Sequence, residues 1–251
     1  MKALALDNIA RSFGGLPAVD GVTLTAPPGR VTGLIGPNGA GKTTVVNLIT
    51  GLLKVTNGHI FVGDEDVTEA DAPALARAGV ARTFQNIRLV GGASVFDNVL
   101  AGFHRHETTG VFANLLGLPS AIRERRRFEE KVHVLLDRFG MSALAKYPAG
   151  SLSYGHQRRI EMMRALAMDP AVLLLDEPVA GMNDAESYVL ADIFRAVARQ
   201  GVAILLIEHN MRFVMSLCEH IYVLAAGRLI AEGNPDAVGR HPKVIEAYLG
   251  A

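Results

Sequence analysis

A chain of 251 residues, 49% apolar and 20% charged, has the length and composition of a large globular domain, which excludes a disordered polypeptide. Lys+Arg and Asp+Glu each number 25, and the resulting zero formal charge argues against a general nucleic-acid binder, which carries a basic excess. The single cysteine, Cys218, excludes an internal disulfide, and its setting in "MRFVMSLCEH" makes it a small packing residue of an amphipathic helix.

The N-terminal segment "MKALALDNIARSF" carries Asp7 and Arg11 and no long apolar core, so it is not read as a signal peptide. "ALALDNIARSF" and "GVTLTA" alternate in the manner of half-buried strands, and the "PPG" at Pro27–Gly29 reads as a turn. "RVTGLIG" is a buried strand running into a glycine-rich loop. "KTTVVNLITGLL" then places Val45, Leu48, Ile49 and Leu52 at helical spacing. "GHIFVGDEDV" is a further strand with a turn at Gly63-Asp64. From about 87 to 165 the chain reads as mostly helical, with Val132, Leu135, Leu136 and Phe139 on one face of a helix whose "RERRR" run is solvated. Strand "AVLLLDE", a helix near 184–200, strand "VAILLIEH" and a helix near 210–218 follow. "HIYVLAAGRLIAEG" is a hairpin turning near Gly227, and "PKVIEAYLG" is a terminal helix. The apolar runs fall far short of the roughly 20 residues that cross a bilayer. Strands alternating with helices predict an α/β fold with a mostly parallel sheet covered on both faces, interrupted by the helical segment.

The stretch "GPNGAGKTT", Gly36–Thr44, matches G-x-x-x-x-G-K-[ST] between an expected strand and an expected helix, the context that gives this motif meaning. Gly36, Gly39 and Gly41 keep side chains out of the way. The backbone N–H groups of the loop, from Gly36 through Pro37, Asn38, Gly39, Ala40 and Gly41 to Lys42, Thr43 and Thr44, can then cradle phosphate oxygens at a helix N-terminus. Lys42 supplies a charge for the β- and γ-phosphates and Thr43 a hydroxyl for Mg²⁺. The strand "VLLLDE" ends in two carboxylates at the sheet edge where ligands of open α/β sheets bind. Asp176 there can hold Mg²⁺ and Glu177 can act as general base on a water. A binding module without turnover has no need of Glu177, so its presence favours hydrolysis.

These motifs, in this order and over nearly the whole chain, resemble an ABC-transporter ATPase subunit. The resemblance implies one ABC ATPase domain over residues 1–251: a RecA-like core with a mostly parallel sheet, an N-terminal antiparallel β part, and a helical subdomain inserted at about 87–165. It also implies ATP and Mg²⁺ as cofactors and assigns roles by position. Phe13 in "RSFGG" stacks on adenine. Gln85 in "RTFQN" stands at the entry to the helical subdomain and takes part in Mg²⁺ binding and catalysis. His209 in "LLIEHN" contacts the γ-phosphate. "LSYGH", Leu152–His156, occupies the signature position, usually Leu-Ser-Gly-Gly-Gln, which closes over the γ-phosphate held by a second ATPase subunit facing it head to tail. Ser153 keeps the hydroxyl, Gly155 the close-approach glycine, and "HQRRIEMMRALAM" the following helix. His156 replaces the terminal glutamine and is the real departure. Asn183 in "PVAGMND" stands where the family often has Asp, and it also suits a helix N-cap.

"RTFQNIRLVGGASVFDNVLAGFH", "EPVAGMN", "LLIEHNMRFVM" and "HPKVIEAYLG" together resemble the larger ATPase subunit of bacterial branched-chain amino-acid importers. That resemblance implies two membrane-spanning permease subunits, a second ATPase subunit, an indirect link to a periplasmic binding protein, no nucleic acid, and a peripheral position on the cytoplasmic face of the inner membrane. Leu89, Val90, Val95 and Phe96 lie among glycines in a stretch suited either to permease docking or to subdomain core. The alternatives are the ATPase of another ABC system, for urea or amides, aromatic acids or lipopolysaccharide export, and a soluble ABC ATPase.

Overall fold

The computed structural model describes residues 1–83, 88–109 and 118–249. Contacts divide the described chain into two compact units. The first comprises residues 1–82, 171–178 and 183–251, and the second comprises 83–170 and 179–182.

The first unit contains both sheets. β1 (Leu4–Phe13), β2 (Leu16–Ala26), β4 (Asn57–Val62) and β5 (Glu65–Asp66) form an antiparallel sheet in the order β2-β1-β4-β5. Strict alternation along β1 would bury Asn8. The register instead shifts between Leu6 and Ile9, with Asn8 at φ 50°, so Leu4, Leu6 and Ile9 all face the core while the amide stays outside.

The second sheet runs in the order β10-β9-β3-β8-β7-β6. β3 (Val31–Ile35), β7 (Val172–Asp176) and β8 (Ala203–Ile207) are buried along their whole length, as expected of central strands of a parallel sheet. β6 (Val80–Arg82) and β9 (His220–Ala225) extend the parallel set on either side. β10 (Arg228–Gly233) returns antiparallel to β9 through Ala226-Gly227, whose φ values of 46° and 79° give the twist a two-residue hairpin needs. The expected fold class therefore holds: a mostly parallel α/β core beside an antiparallel β part.

Six helices accompany these sheets: α1 (Lys42–Ile49), α2 (Ala72–Ala78), α6 (Asp184–Arg199), α7 (Met211–Leu217), α8 (Pro235–Gly239) and α9 (Pro242–Leu249). α6 starts at Asn183, which caps it in a reciprocal box with Glu186, so the N-cap reading of Asn183 is correct. α1 is shorter than its spacing suggests. Gly51, at φ 69°, ends it, and Leu52 is 57% exposed instead of lying on the apolar face. Three elements have no counterpart among the expected ones: α2, opened by the Asp71 cap, the three-residue β6, and α8, opened by the Asn234 cap.

The second unit is helical, with α3 (Val95–Leu100), α4 (Pro119–Arg138) and α5 (Tyr154–Ala167) packed on one another. Val132, Leu136 and Phe139 of the expected face are buried, whereas Leu135 is only partly covered. Arg123, Arg125, Arg126 and Arg127 point to solvent, as the run of like charges required. Phe103 and Phe128 stack at 5.4 Å between ring centroids. Cys218 is buried in the first unit, and burial alone pushes its thiol up to about 12. Among the described residues no helix is long and apolar enough to cross a membrane.

Candidate active site

The phosphate loop joins β3 to α1 and is shaped by two glycines that no other residue can replace without displacement. Gly36 has φ 153°, and a Cβ there would lie 2.0 Å from the Leu224 carbonyl oxygen on β9. Gly41 caps α1 in the left-handed region at φ 105°, and its Cβ would lie 2.5 Å from the Ala18 carbonyl oxygen on β2. The loop is thus wedged between the hairpin strand β9 and the antiparallel sheet. The Ala40 carbonyl accepts from Gly227 at 2.9 Å, tying the loop to the β9–β10 turn.

Lys42, the first residue of α1, folds its ammonium over this loop. Nζ donates to the carbonyl oxygens of Gly36 at 2.5 Å and Pro37 at 2.9 Å. Burial lowers its pKa, and the charges of Glu177 and Asp176 oppose that by favouring the ammonium. Lys42 therefore sees both carboxylates at the end of β7. Thr43 follows in the first turn of α1, and its side chain is exposed.

Asp176 is the last residue of β7 and only 5% exposed. Arg82 at the end of β6 donates to its Oδ2 at 2.8 Å. Glu177 follows in the left-handed region at φ 49°, a conformation that costs a non-glycine residue roughly 1–2 kcal/mol, while its N–H donates to Ile207 at the end of β8 at 2.8 Å. That departure from the strand turns its carboxylate toward the segment after β8. There His209 Nδ1 lies 3.5 Å from Glu177 Oε1, within ion-pair range when the imidazole is protonated. Strain of this kind is stored where a side chain must be aimed, and here it brings Glu177 and His209 together.

His209 in turn rests on Glu208. Glu208 is 1% exposed, and its Oε2 accepts from the backbone N–H groups of His209 at 2.8 Å and Asn210 at 3.0 Å. Asn210 then caps α7. Glu208 and Arg82 are residues of this region that motif matching misses. Each sits next to a matched residue in sequence or space but answers to no spacing rule. The signal available for Glu208 was an acidic residue at the end of an otherwise apolar strand, "VAILLIEH".

One structural unit therefore gathers the loop Gly36–Thr44 with Lys42 and Thr43, together with Asp176, Glu177 and His209. Phe13 ends β1, is 45% exposed, and carries the Arg11 guanidinium 5.1 Å from its ring centroid. Ser153 and Gly155 belong to the second unit. Ser153 is the N-cap of α5: its Oγ lies 3.4 Å from the His156 N–H and 3.0 Å from His156 Nδ1. Gln85 lies outside the described residues.

These features define a nucleotide-hydrolysing P-loop module, and comparison with known proteins gives its family. Residues 19–180 match the family model for ABC transporters, and residues 228–251 match the one described as branched-chain amino acid ATP-binding cassette transporter. The chain belongs to the ABC transporter family as an ATP-binding cassette, the subunit that binds and hydrolyses ATP. It is 40% identical over 248 residues to the high-affinity branched-chain amino acid transport ATP-binding protein LivG of Escherichia coli K12, covering 98% of this chain and 97% of that one. It is 41% identical, with the same coverage, to the BraF protein of Pseudomonas aeruginosa, which carries the same description. A crystal structure of a nucleotide-free ATP-binding cassette from an ABC transporter superposes with a TM-score of 0.86 at 32% identity, each chain covered in full. A cassette in its ADP conformation gives the same values.

The loop geometry makes a direct prediction. Gly36→Ala adds an overpacking cost of about 1–3 kcal/mol to backbone strain of roughly 1–2 kcal/mol and should abolish ATP binding. Gly39→Ala meets no atom within 4 Å and should cost only the strain at φ 78°, roughly 1–2 kcal/mol. Urea denaturation with ATP titration separates the two, and equal losses in both would contradict the wedged-loop geometry.

Proposed function

We propose that this chain is the ATPase subunit that powers an importer of branched-chain amino acids. The observation that carries this reading is the branched-chain module at residues 228–251 on a cassette whose full length matches branched-chain transport proteins. The partners under this reading are two permease subunits, a second ATPase subunit and, indirectly, a periplasmic binding protein. The chain lies on the cytoplasmic face of the inner membrane. Phe96, whose ring lies 5.2 Å from that of His133 at a tilt of 53° and is partly exposed, belongs to the segment that meets the permease.

The residues divide the work as follows. The loop Gly36–Thr44 cradles the phosphates through its N–H groups and the positive end of α1, and Phe13 takes the adenine. Lys42 exchanges its carbonyl partners for phosphate oxygens. An exposed threonine hydroxyl and one buried carboxylate, both beside the phosphate loop, match the hard oxygen donors Mg²⁺ takes when substrate phosphates complete its shell. Thr43, Asp176 and Gln85 would hold it. When bound, Mg²⁺ neutralises developing phosphate charge. Glu177 accepts a proton from the attacking water, and His209, braced by Glu208, steadies the γ-phosphate. Ser153 and Gly155 of one subunit close over the nucleotide held by its partner. Binding draws the subunits together, hydrolysis releases them, and the permeases alternate between two states.

His156 acts on this closure through Ser153. Where Nδ1 carries no proton, the imidazole accepts the Ser153 proton across their 3.0 Å contact; where Nδ1 carries one, it donates to Oγ and leaves the Ser153 proton for a phosphate oxygen. His156→Gln removes this ring contact and should change the KM for ATP; an unchanged KM would remove the role.

The transport reading is tested in cells by uptake of a panel of labelled amino acids, comparing native protein with a chromosomal Lys42→Ala variant. Selective loss of leucine, isoleucine and valine uptake is expected. Normal uptake of all three would detach the cassette from this substrate class and turn the search to urea, amides, aromatic acids and lipid export.

A further inference from the structure

The guanidinium of Arg82 makes contacts that no motif anticipates. Nη2 donates to Asp176 Oδ2 at 2.8 Å, and Nη1 donates to Asn47 Oδ1 at 2.8 Å, with the Thr50 hydroxyl at 3.4 Å. The Arg82 and Asp176 side chains are 9% and 6% exposed. Asn47 stands on α1 four residues after Thr43, hence one turn further along the same helix face. Asp176 ends β7. The two described residues assigned to Mg²⁺ therefore come from two separate elements, and one buried side chain bonds to both elements.

A buried ion pair is a poor source of stability, because desolvation offsets most of its Coulombic gain. Its use lies in geometry. A guanidinium is a planar fork whose two terminal nitrogens have a fixed separation, so it sets the distance between the groups it joins, which a lysine ammonium cannot do. Carboxylates that bind metals are themselves hydrogen-bonded by partners that fix their orientation. Arg82 meets that description from β6, a strand added at the sheet edge next to β7.

We propose that Arg82 is a positioning residue of the metal site: by bridging Asp176 to Asn47 it fixes the Asp176 carboxylate relative to the Thr43 hydroxyl and so sets the affinity for Mg²⁺. This rests on the assignment of Asp176 and Thr43 to the metal. Arg82 itself touches neither nucleotide nor metal. It restrains the carboxylate's rotation and holds one of its oxygens, and it ties the helix that follows the phosphate loop to the strand that carries the acidic pair.

Mn²⁺ is the probe, followed by electron paramagnetic resonance in the presence of ADP. A fluorescent ATP analogue titrated in EDTA measures metal-free nucleotide binding. Arg82→Lys keeps the charge and loses the fork. It should weaken Mn²⁺ binding about 10- to 100-fold while leaving the analogue's affinity in EDTA unchanged. Asn47→Ala cuts the bridge from the other end, leaves the ion pair, and should weaken Mn²⁺ in the same direction by a smaller factor. It also carries the test if Arg82→Lys does not fold. Asp176→Asn is the benchmark. If it weakens Mn²⁺ binding and both bridge variants bind Mn²⁺ normally, Arg82 is only structural and the proposal is overturned while the metal assignment stands. If Asp176→Asn binds Mn²⁺ normally, the metal assignment fails and takes the proposal with it. An equal loss of Mn²⁺ and of metal-free nucleotide binding in Arg82→Lys also overturns it, because the effect would then belong to the fold.

Discussion

Asp176 ends a strand whose four preceding residues, Val172 to Leu175, are at most 1% exposed, and a carboxylate delivered to that place must find a cation. Arg82 supplies one in the structure, and Lys42 adds a second charge from across the phosphate loop. Much of the catalytic unit can be read from this constraint. β6 carries Arg82 to the edge of β7. α1 carries Lys42 and Thr43, and also Asn47, which takes the other arm of Arg82. The parallel sheet thus brings an acidic strand end, a basic strand end and a helix start together at its C-terminal edge, where folds of this kind bind ligands.

The backbone bears the rest of the cost. Glu177 occupies the left-handed region, and Gly36 and Gly41 take conformations in which a Cβ would collide with neighbouring carbonyls. Gly36 and Gly41 belong to the phosphate loop, and Glu177 follows the end of β7. They are held by the surrounding structure: Glu177 by its bond to Ile207, Gly36 by β9, Gly41 by β2. A rigid, strained frame suits a reaction that depends more on placing charge than on covalent chemistry by the protein. His209 extends the same logic, because its backbone N–H is fixed by the buried Glu208 while its ring remains 64% exposed and able to reach a ligand.

How much of this was legible in the sequence follows from how local each signal is. The phosphate loop, the acidic pair and the Asn183 cap depend on neighbours a few residues away, so spacing alone reveals them. The Ala226-Gly227 hairpin is equally local. Arg82 is not, because its partners lie 94 and 35 residues away, and nothing in "VARTF" distinguishes an arginine bound to a carboxylate from one in solvent. Glu208 acts on the backbone of the next two residues, but its burial is a property of the sheet. Leu52 misleads for the opposite reason: helical spacing continues through it while Gly51 has already ended the helix. Asn8 hides a register shift that a period-two reading cannot detect.

We propose that Glu177, held in the left-handed backbone region beside His209, turns a nucleotide-binding fold into one that hydrolyses. Single-turnover ATP hydrolysis by Glu177→Gln, followed together with the oligomeric state by size-exclusion chromatography in ATP, tests it most directly. The account predicts that the variant binds ATP with native affinity, turns over at least about 100-fold more slowly, and accumulates as a closed dimer of cassettes. Turnover near the native rate would contradict it and would move the general base elsewhere in the site.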